Sequence, residues 1–307
     1  MTIKEMDKLR KNINIGDNIN LVYQKPEIFS RYHIVYHGQK YSNHYFRSSP
    51  NTLSEKAKYL DEGYFIMKDE KVIGGVFIKP NFMADLFLVP PFKDYEYILD
   101  KLLKYLRTIS KNNESIVIGE VLETYVPFYK SRGYEIEEKE FWMIRPTEQL
   151  EAIVPDNYES KPVVDEDKDE IADIIIAAYK ANPCYKTVDS KNRYVEHVEF
   201  VLKDNKENEM LYNSSRVVVH KYTNEIVGVC LHMEFEGLPL IMSLVVRPDH
   251  QGKGIGSYLL RHSISYSSTK YTATRLSVIH NNSAVDVYEH MGFIKNKTIN
   301  DMYLRAG

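Results

Sequence analysis

The stretch LIMSLVVRPDHQGKGIGSYLL, Leu240 to Leu260, decides how this 307-residue chain is read. Leu240 to Val246 is an apolar run of strand length, and it ends at Arg247-Pro248, where proline removes a ladder donor. From Ile255 onward, Ile255, Tyr258, Leu259 and His262 recur at helical spacing. Between strand and helix lies Gln251-Gly-Lys-Gly254-Ile-Gly256, with three glycines at alternating positions. Glycine lets a ligand approach the backbone closely, and a helix start offers unpaired N–H groups at the positive end of its dipole. The arrangement predicts an anion site suited to a pyrophosphate, with Lys253 and Arg247 either adding charge or simply solvated.

Two phosphate motifs fail here. A P-loop needs Gly-Lys-Ser/Thr with another glycine five positions earlier, whereas Lys253 is followed by Gly254 and position 247 is Arg. A dinucleotide fingerprint starting at Gly252 needs glycine at 257, where Ser257 stands.

Farther along, Asn281-x-x-Ala284-x-x-x-Tyr288-x-x-x-Gly292-Phe293 forms a second ordered segment. Part of it recurs earlier as Tyr129-x-x-x-Gly133-Tyr134. The tyrosines and the glycines of the two copies are each 159 residues apart, and Pro90 and Pro248, which close comparable strands, are 158 apart. Near-constant offsets in one order predict a duplicated strand–helix unit. The acidic stretch Glu151 to Glu170, with two prolines, reads as a linker into the strand KPVV. Asp167 and Glu170 have capping-box spacing for a helix that buries Ile171, Ile174, Ile175 and Ala178.

Gln251 to Gly256 fits Q/R-x-x-G-x-G/A, and with the Asn281–Phe293 segment the sequence closely resembles the GNAT superfamily of N-acetyltransferases. The likeness covers Leu240 to Phe293 and extends through most of 161–307. It implies two α/β GNAT-like domains, each a mixed, splayed, mostly antiparallel sheet flanked by helices: a degenerate one at 1–148, a linker at 149–160 and a catalytic one at 161–307. The first lacks the glycine loop after Pro90, and Leu122 and Tyr125 stand where Asn281 and Ala284 stand in the second, so its expected work is to cover the acceptor cleft.

The resemblance further implies acetyl-CoA as acyl-donor cosubstrate, lying between parted strands. The backbone of Leu244 and Val246 would meet the pantetheine, and amides from Gln251, Gly252, Lys253, Gly254, Ile255, Gly256 and Ser257 would hold the diphosphate. Asn281 would touch the pantetheine arm unless it merely caps a helix, and Tyr288 would donate a proton to the departing thiolate. Tyrosine suits that role because its reference pKa is about 10. The attacking amine must be neutral, so a general base is expected. Glu234 is the first candidate, followed by Glu236, His232 and His280.

The resulting expectation is transfer of an acetyl group to a primary amine, on a small molecule or a peptide, by direct attack in a ternary complex. A non-catalytic acyl-CoA-binding regulator, or a transferase using another acyl donor, is the alternative. Cys230, in VGVCL, reads as a core thiol, and neither it nor Cys184 is needed as a nucleophile. His33, His37 and His44 read as surface residues, and no metal site is expected.

Composition agrees with a folded globular chain. Hydrophobic residues make up 43% and charged residues 27%, the balance of an ordinary globular chain, and the net charge of -3 provides no field for a nucleic acid. No apolar run approaches the roughly 20 residues of a membrane span. The opening MTIKEMDKLRK lacks the apolar core of a secretory signal, so the expected location is cytoplasmic. The sequence leaves the acceptor and the oligomeric state open.

Overall fold

A computed structural model describes residues 12–39, 62–235 and 237–306. The first part of the chain forms β1 (Asn12–Gly16), β2 (Ile19–Tyr23), α1 (Pro26–Tyr32, continuing into a π-helical turn at His33–Gln39), β3 (Gly63–Lys68), β4 (Lys71–Lys79), β5 (Phe82–Leu88), α2 (Tyr95–Ile109), β6 (Ile116–Leu122), α3 (Val126–Lys130) and β7 (Glu135–Pro146). The rest forms β8 (Tyr158–Pro162), α4 (Lys168–Ala181), α5 (Lys191–Asn205), α6 (Glu209–Ser214), β9 (Arg216–His220), β10 (Ile226–Phe235), β11 (Leu238–Val246), α7 (Ile255–Ser267), β12 (Ala273–Ile279), α8 (Ala284–His290), β13 (Ile294–Lys295) and β14 (Ile299–Leu304). Two compact units result: Met1–Phe141 with Asn296–Gly307, and Trp142–Lys295.

In the first unit the strand order is β1-β2-β3-β4-β5-β6-β14-β7, antiparallel except for β5 beside β6. The helix α2 lays Ile98, Leu99, Leu102, Leu103 and Leu106 into a core shared with Ile19, Leu21, Ile66, Val76 and Met83. Full burial of each such side chain stabilises the fold by about 1.5–3 kcal/mol. The last strand departs from the expected boundary, since the sequence reading assigns 296–307 to the second domain. In the structure Ile299 faces Leu122 on one side and Glu140 on the other, and Met302 is fully buried in the first core. A strand with open ladders on both sides is held where both its edges and its inner face are satisfied.

The second unit orders the end of β7, then β12-β11-β10-β9-β8, with β13 paired to β7 at Ile144 and Met143. The alternation of β10 sends Val229, Leu231 and Met233 toward α4 and α5, where Ile171, Ile174, Ile175, Val198 and Val201 complete the core. Gly228 and Cys230 face α7 instead. A Cβ on Gly228 would stand 2.8 Å from Ile255 Cγ2, so glycine is what lets the first turn of α7 rest on the strand. Helix α4 buries the four predicted residues, but the expected capping box does not form: Asp167 accepts from Val164 N, and Glu170 accepts from Ile226 N instead. The strand predicted at KPVV begins earlier, at Tyr158, which pairs with His220. No helix among the described residues is long and apolar enough to cross a membrane.

Candidate functional site

Strands β11 and β12 run parallel and are in register at Leu240–Arg275 and Ile241–Leu276. Beyond that point β11 continues with β10 as its partner, Cys230 opposite Leu244 and Gly228 opposite Val246. Met242 is the extra residue of a bulge between Ile241 and Ser243. Leu244 and Val246 are half-buried and share one face, while Val245 is buried against α4 and α5. Arg247 N still bonds Val227 O, and the chain then turns through Pro248–His250. Tyr158 O–H meets His250 Nδ1 at 2.9 Å beneath this turn.

The loop that follows is exposed from Gln251 to Gly254. Gly252 and Gly254 lie in the left-handed region, at φ +73° and +83°, where residues with a Cβ are strained. Gly254 occupies the N-cap of α7 and brings no side chain to cap it. The amides of Ile255, Gly256 and Ser257 therefore form the open start of a thirteen-residue helix. A Cβ on Gly256 would lie 3.7 Å from Val246 Cγ2, so the helix start and the strand end adjoin. Gln251 Nε2 donates to Val246 O and Lys253 Nζ to Asp249 O, both bracing the turn. Arg247 is committed to carboxylates, with a bidentate pair to Asp249 and a further bond to Glu225.

Tyr288 is buried on α8, with its ring 5.9 Å from that of Phe293. Burial, and secondarily the nearby Cys230 thiol, push its pKa above the usual phenol range, so it keeps its proton at neutral pH. Cys230 is wholly buried beside Ser263 Oγ at 3.1 Å, and burial pushes its thiol up to about 12. A thiol that holds its proton this firmly is not a nucleophile at pH 7, in agreement with the core role expected from VGVCL.

Residues 167–301 match the sequence family described as the acetyltransferase (GNAT) domain. The segment 167–301 is a GNAT acetyltransferase domain. The fold likeness extends beyond it. A GCN5-related N-acetyltransferase from Sphaerobacter thermophilus superposes with a TM-score of 0.70 at 15% identity, covering 95% of this chain and 96% of that one. A GNAT-family acetyltransferase from Colwellia psychrerythraea gives 0.55 at 11% identity over 93% and 98%. A tandem GNAT protein from the clavulanic acid biosynthesis pathway gives 0.53 at 14% identity over 80% and 82%. No curated protein matches the sequence.

The GNAT domain corrects several assignments made from sequence. Glu234 is not at the parting of the strands. It lies four residues along β10 from Cys230, roughly 13 Å at a strand's rise, and faces Pro239 at the hairpin end. Its carboxylate accepts from Tyr271 O–H. Glu236 lies outside the described residues. His232 is fully buried and structural: its ring meets Ser214 Oγ and Thr274 Oγ1, and burial lowers it to about 3. His280 is exposed at the end of β12. Asn281 is exposed in a left-handed turn; the N-cap of α8 is Ser283, and it is Asn282 whose Oδ1 accepts from Ala284 N at the helix start.

Sequence reasoning overlooked His197. It projects from α5 so that its Nε2 lies 3.3 Å from Ser243 Oγ, one residue before Leu244. Burial, helped by Arg193, holds its pKa below the usual histidine value, which leaves a neutral imidazole at neutral pH. No motif marks it, because α5 pattern and spacing describe only which face packs.

The corresponding place in the first unit is built differently. Asp94 caps α2 and accepts from Tyr97 N, so a carboxylate occupies the helix start that glycines leave open in the GNAT domain. Tyr95 stacks on Tyr125 at 3.8 Å, and its hydroxyl meets that of Tyr129 at 3.1 Å. These tyrosines line the cleft where β5 leaves β6. His33 and His37, expected at the surface, are buried in this unit, while His44 lies outside the described residues.

Proposed function

We propose that the chain is an acyl-CoA-dependent N-acyltransferase that moves an acetyl group from acetyl-CoA to a primary amine by direct attack in a ternary complex. The observation that carries this reading is the parting of β11 from β12 directly before an uncapped helix whose loop holds two left-handed glycines. That combination suits a long thioester with a diphosphate: a Cβ on Gly252 would meet no atom within 4 Å, and the adjoining amides have no side-chain cap.

Acetyl-CoA, when bound, supplies an activated acyl group. The amides from Gln251 to Ser257 would bind its diphosphate, and the main chain of Leu244 and Val246 would align its pantetheine as a neighbouring strand would. Asn281 stands in the turn at the end of β12 and is assigned to the same arm. Tyr288 holds a proton that the leaving sulfur needs, because its buried phenol does not ionise near pH 7. His197, neutral and beside Ser243, takes the part of general base in place of Glu234. The acceptor class is an amine that enters from the α4–α5 side of β11.

Thiol release from acetyl-CoA with a panel of amines tests the proposal. Release that depends on an amine supports transfer. A folded protein that binds coenzyme A yet releases none with any acceptor is a regulator, and a response only to other thioesters reassigns the donor.

A further inference from the structure

The first unit carries a cluster that the acyl-transfer reading does not use. His33 and His37 stand one turn apart where α1 passes into its π-helical turn, and both are buried, at 1% and 4% exposure. Asp85 of β5 faces them with its side chain 10% exposed. His33 Nε2 lies 2.6 Å from Asp85 Oδ2, and His37 Nε2 lies 3.7 Å from Asp85 Oδ1. The imidazoles stack with centroids 5.0 Å apart, and donor atoms of all three residues fall within 4.8 Å of one another.

The backbone aims Asp85 at this place. β5 and β6 are in register up to Ala84–Gly119, and the next residue on each strand, Asp85 and Glu120, has a left-handed φ of +55° and +58°. A non-glycine residue in that region inside a strand is uncommon, and such strain persists where the surroundings fix it. Both residues line the cleft where the strands part, together with His37. One wall of the cluster is thus closed by Phe29, Phe77 and Phe87 around His33, and the other opens on a polar cleft.

We infer that His33, His37 and Asp85 form a binding site for a divalent first-row transition ion such as Zn2+, with the cleft supplying its remaining ligand. Two imidazoles and one carboxylate are a donor set for such ions, and three protein ligands leave a position for water. Ligand bonds of about 2.0–2.2 Å place tetrahedral donors roughly 3.3–3.5 Å apart. Entry of an ion therefore lengthens the short His33–Asp85 contact by under an ångström and draws the more distant atoms inward. It also sets a positive charge beside the Asp85 carboxylate, with Glu120 on the same cleft wall.

The full chain, stripped with chelator and then titrated with Zn2+ by calorimetry and with Co2+ by visible absorption, tests this. The expected result is one ion per chain, the d–d bands of four-coordinate Co2+, and at least tenfold weaker binding in His37→Ala and in Asp85→Ala. No uptake by the folded wild type overturns the site, as does uptake unchanged in both variants. Should the variants not fold, Co2+ bound to the wild type must shift or broaden the ring signals of Phe29, Phe77 and Phe87, and unmoved signals overturn it as well. These readouts do not depend on acyl transfer.

Discussion

Replacing Gly254 with alanine isolates the backbone geometry of the proposed diphosphate cradle. Gly254 sits at φ +83° and ψ -5°, and a Cβ there would lie 3.6 Å from Pro155 Cγ, an ordinary contact. The cost is therefore conformational, and an L-residue in the left-handed region pays about 1–2 kcal/mol. Because residues 251–254 are exposed, the variant loop relaxes out of that region before ligand arrives. Binding must then restore it, so the strain appears in the dissociation constant for coenzyme A as a rise of roughly 5- to 30-fold. The melting temperature hardly moves. Calorimetry with coenzyme A, beside thermal unfolding of both proteins, measures the two effects separately. An unchanged dissociation constant in a folded variant rules out the diphosphate cradle at this loop, and so does a lower melting temperature with unchanged binding.

Tyr288→Phe keeps the buried ring and removes the proton; turnover is expected to fall about 10²- to 10⁴-fold, the usual range for losing a general acid, while coenzyme A affinity stays within a few-fold, and steady-state kinetics decide. His197→Gln should lower kcat by a similar factor. Since burial holds His197 below 6.5, the wild-type acid limb, corrected for titration of the acceptor, should lie below the ordinary histidine range; a limb unaltered in the variant removes the assignment. His232 titrates near 3 when folded and near 6.5 when unfolded, so between those values the unfolded chain holds the extra proton and stability falls as pH falls. Urea unfolding should show this with a slope of up to about 1.4 kcal/mol per pH unit that His232→Asn flattens, and superimposable slopes would contradict it.

The glycine-rich loop and the second segment were legible because each demands particular residue types at fixed spacing: glycines at the two left-handed positions, and tyrosine four residues before the left-handed glycine, Gly292, that follows the helix. The strands around them were equally clear, since their apolar runs are bounded by turns and prolines. Long-range placements were not. Nothing in INDMYL says that β14 closes the first core, because a short strand of mixed polarity fits any open ladder beside a suitable core. Glu234 looked suited to base catalysis from its strand, but the pattern does not tell which end of β10 meets the parted strands. The buried His33–His37–Asp85 cluster brings together His33 and Asp85, 52 residues apart, and no local period encodes that meeting.

The most direct test of the central claim is a titration of the isotopically labelled protein with coenzyme A, followed by backbone amide resonances. The amides of Gly252 to Ser257 are expected to shift most, with Leu244 and Val246, and those of Asp94 to Tyr97, whose helix start is already capped, to stay in place. Shifts confined to other residues, or none at saturating coenzyme A, would contradict it.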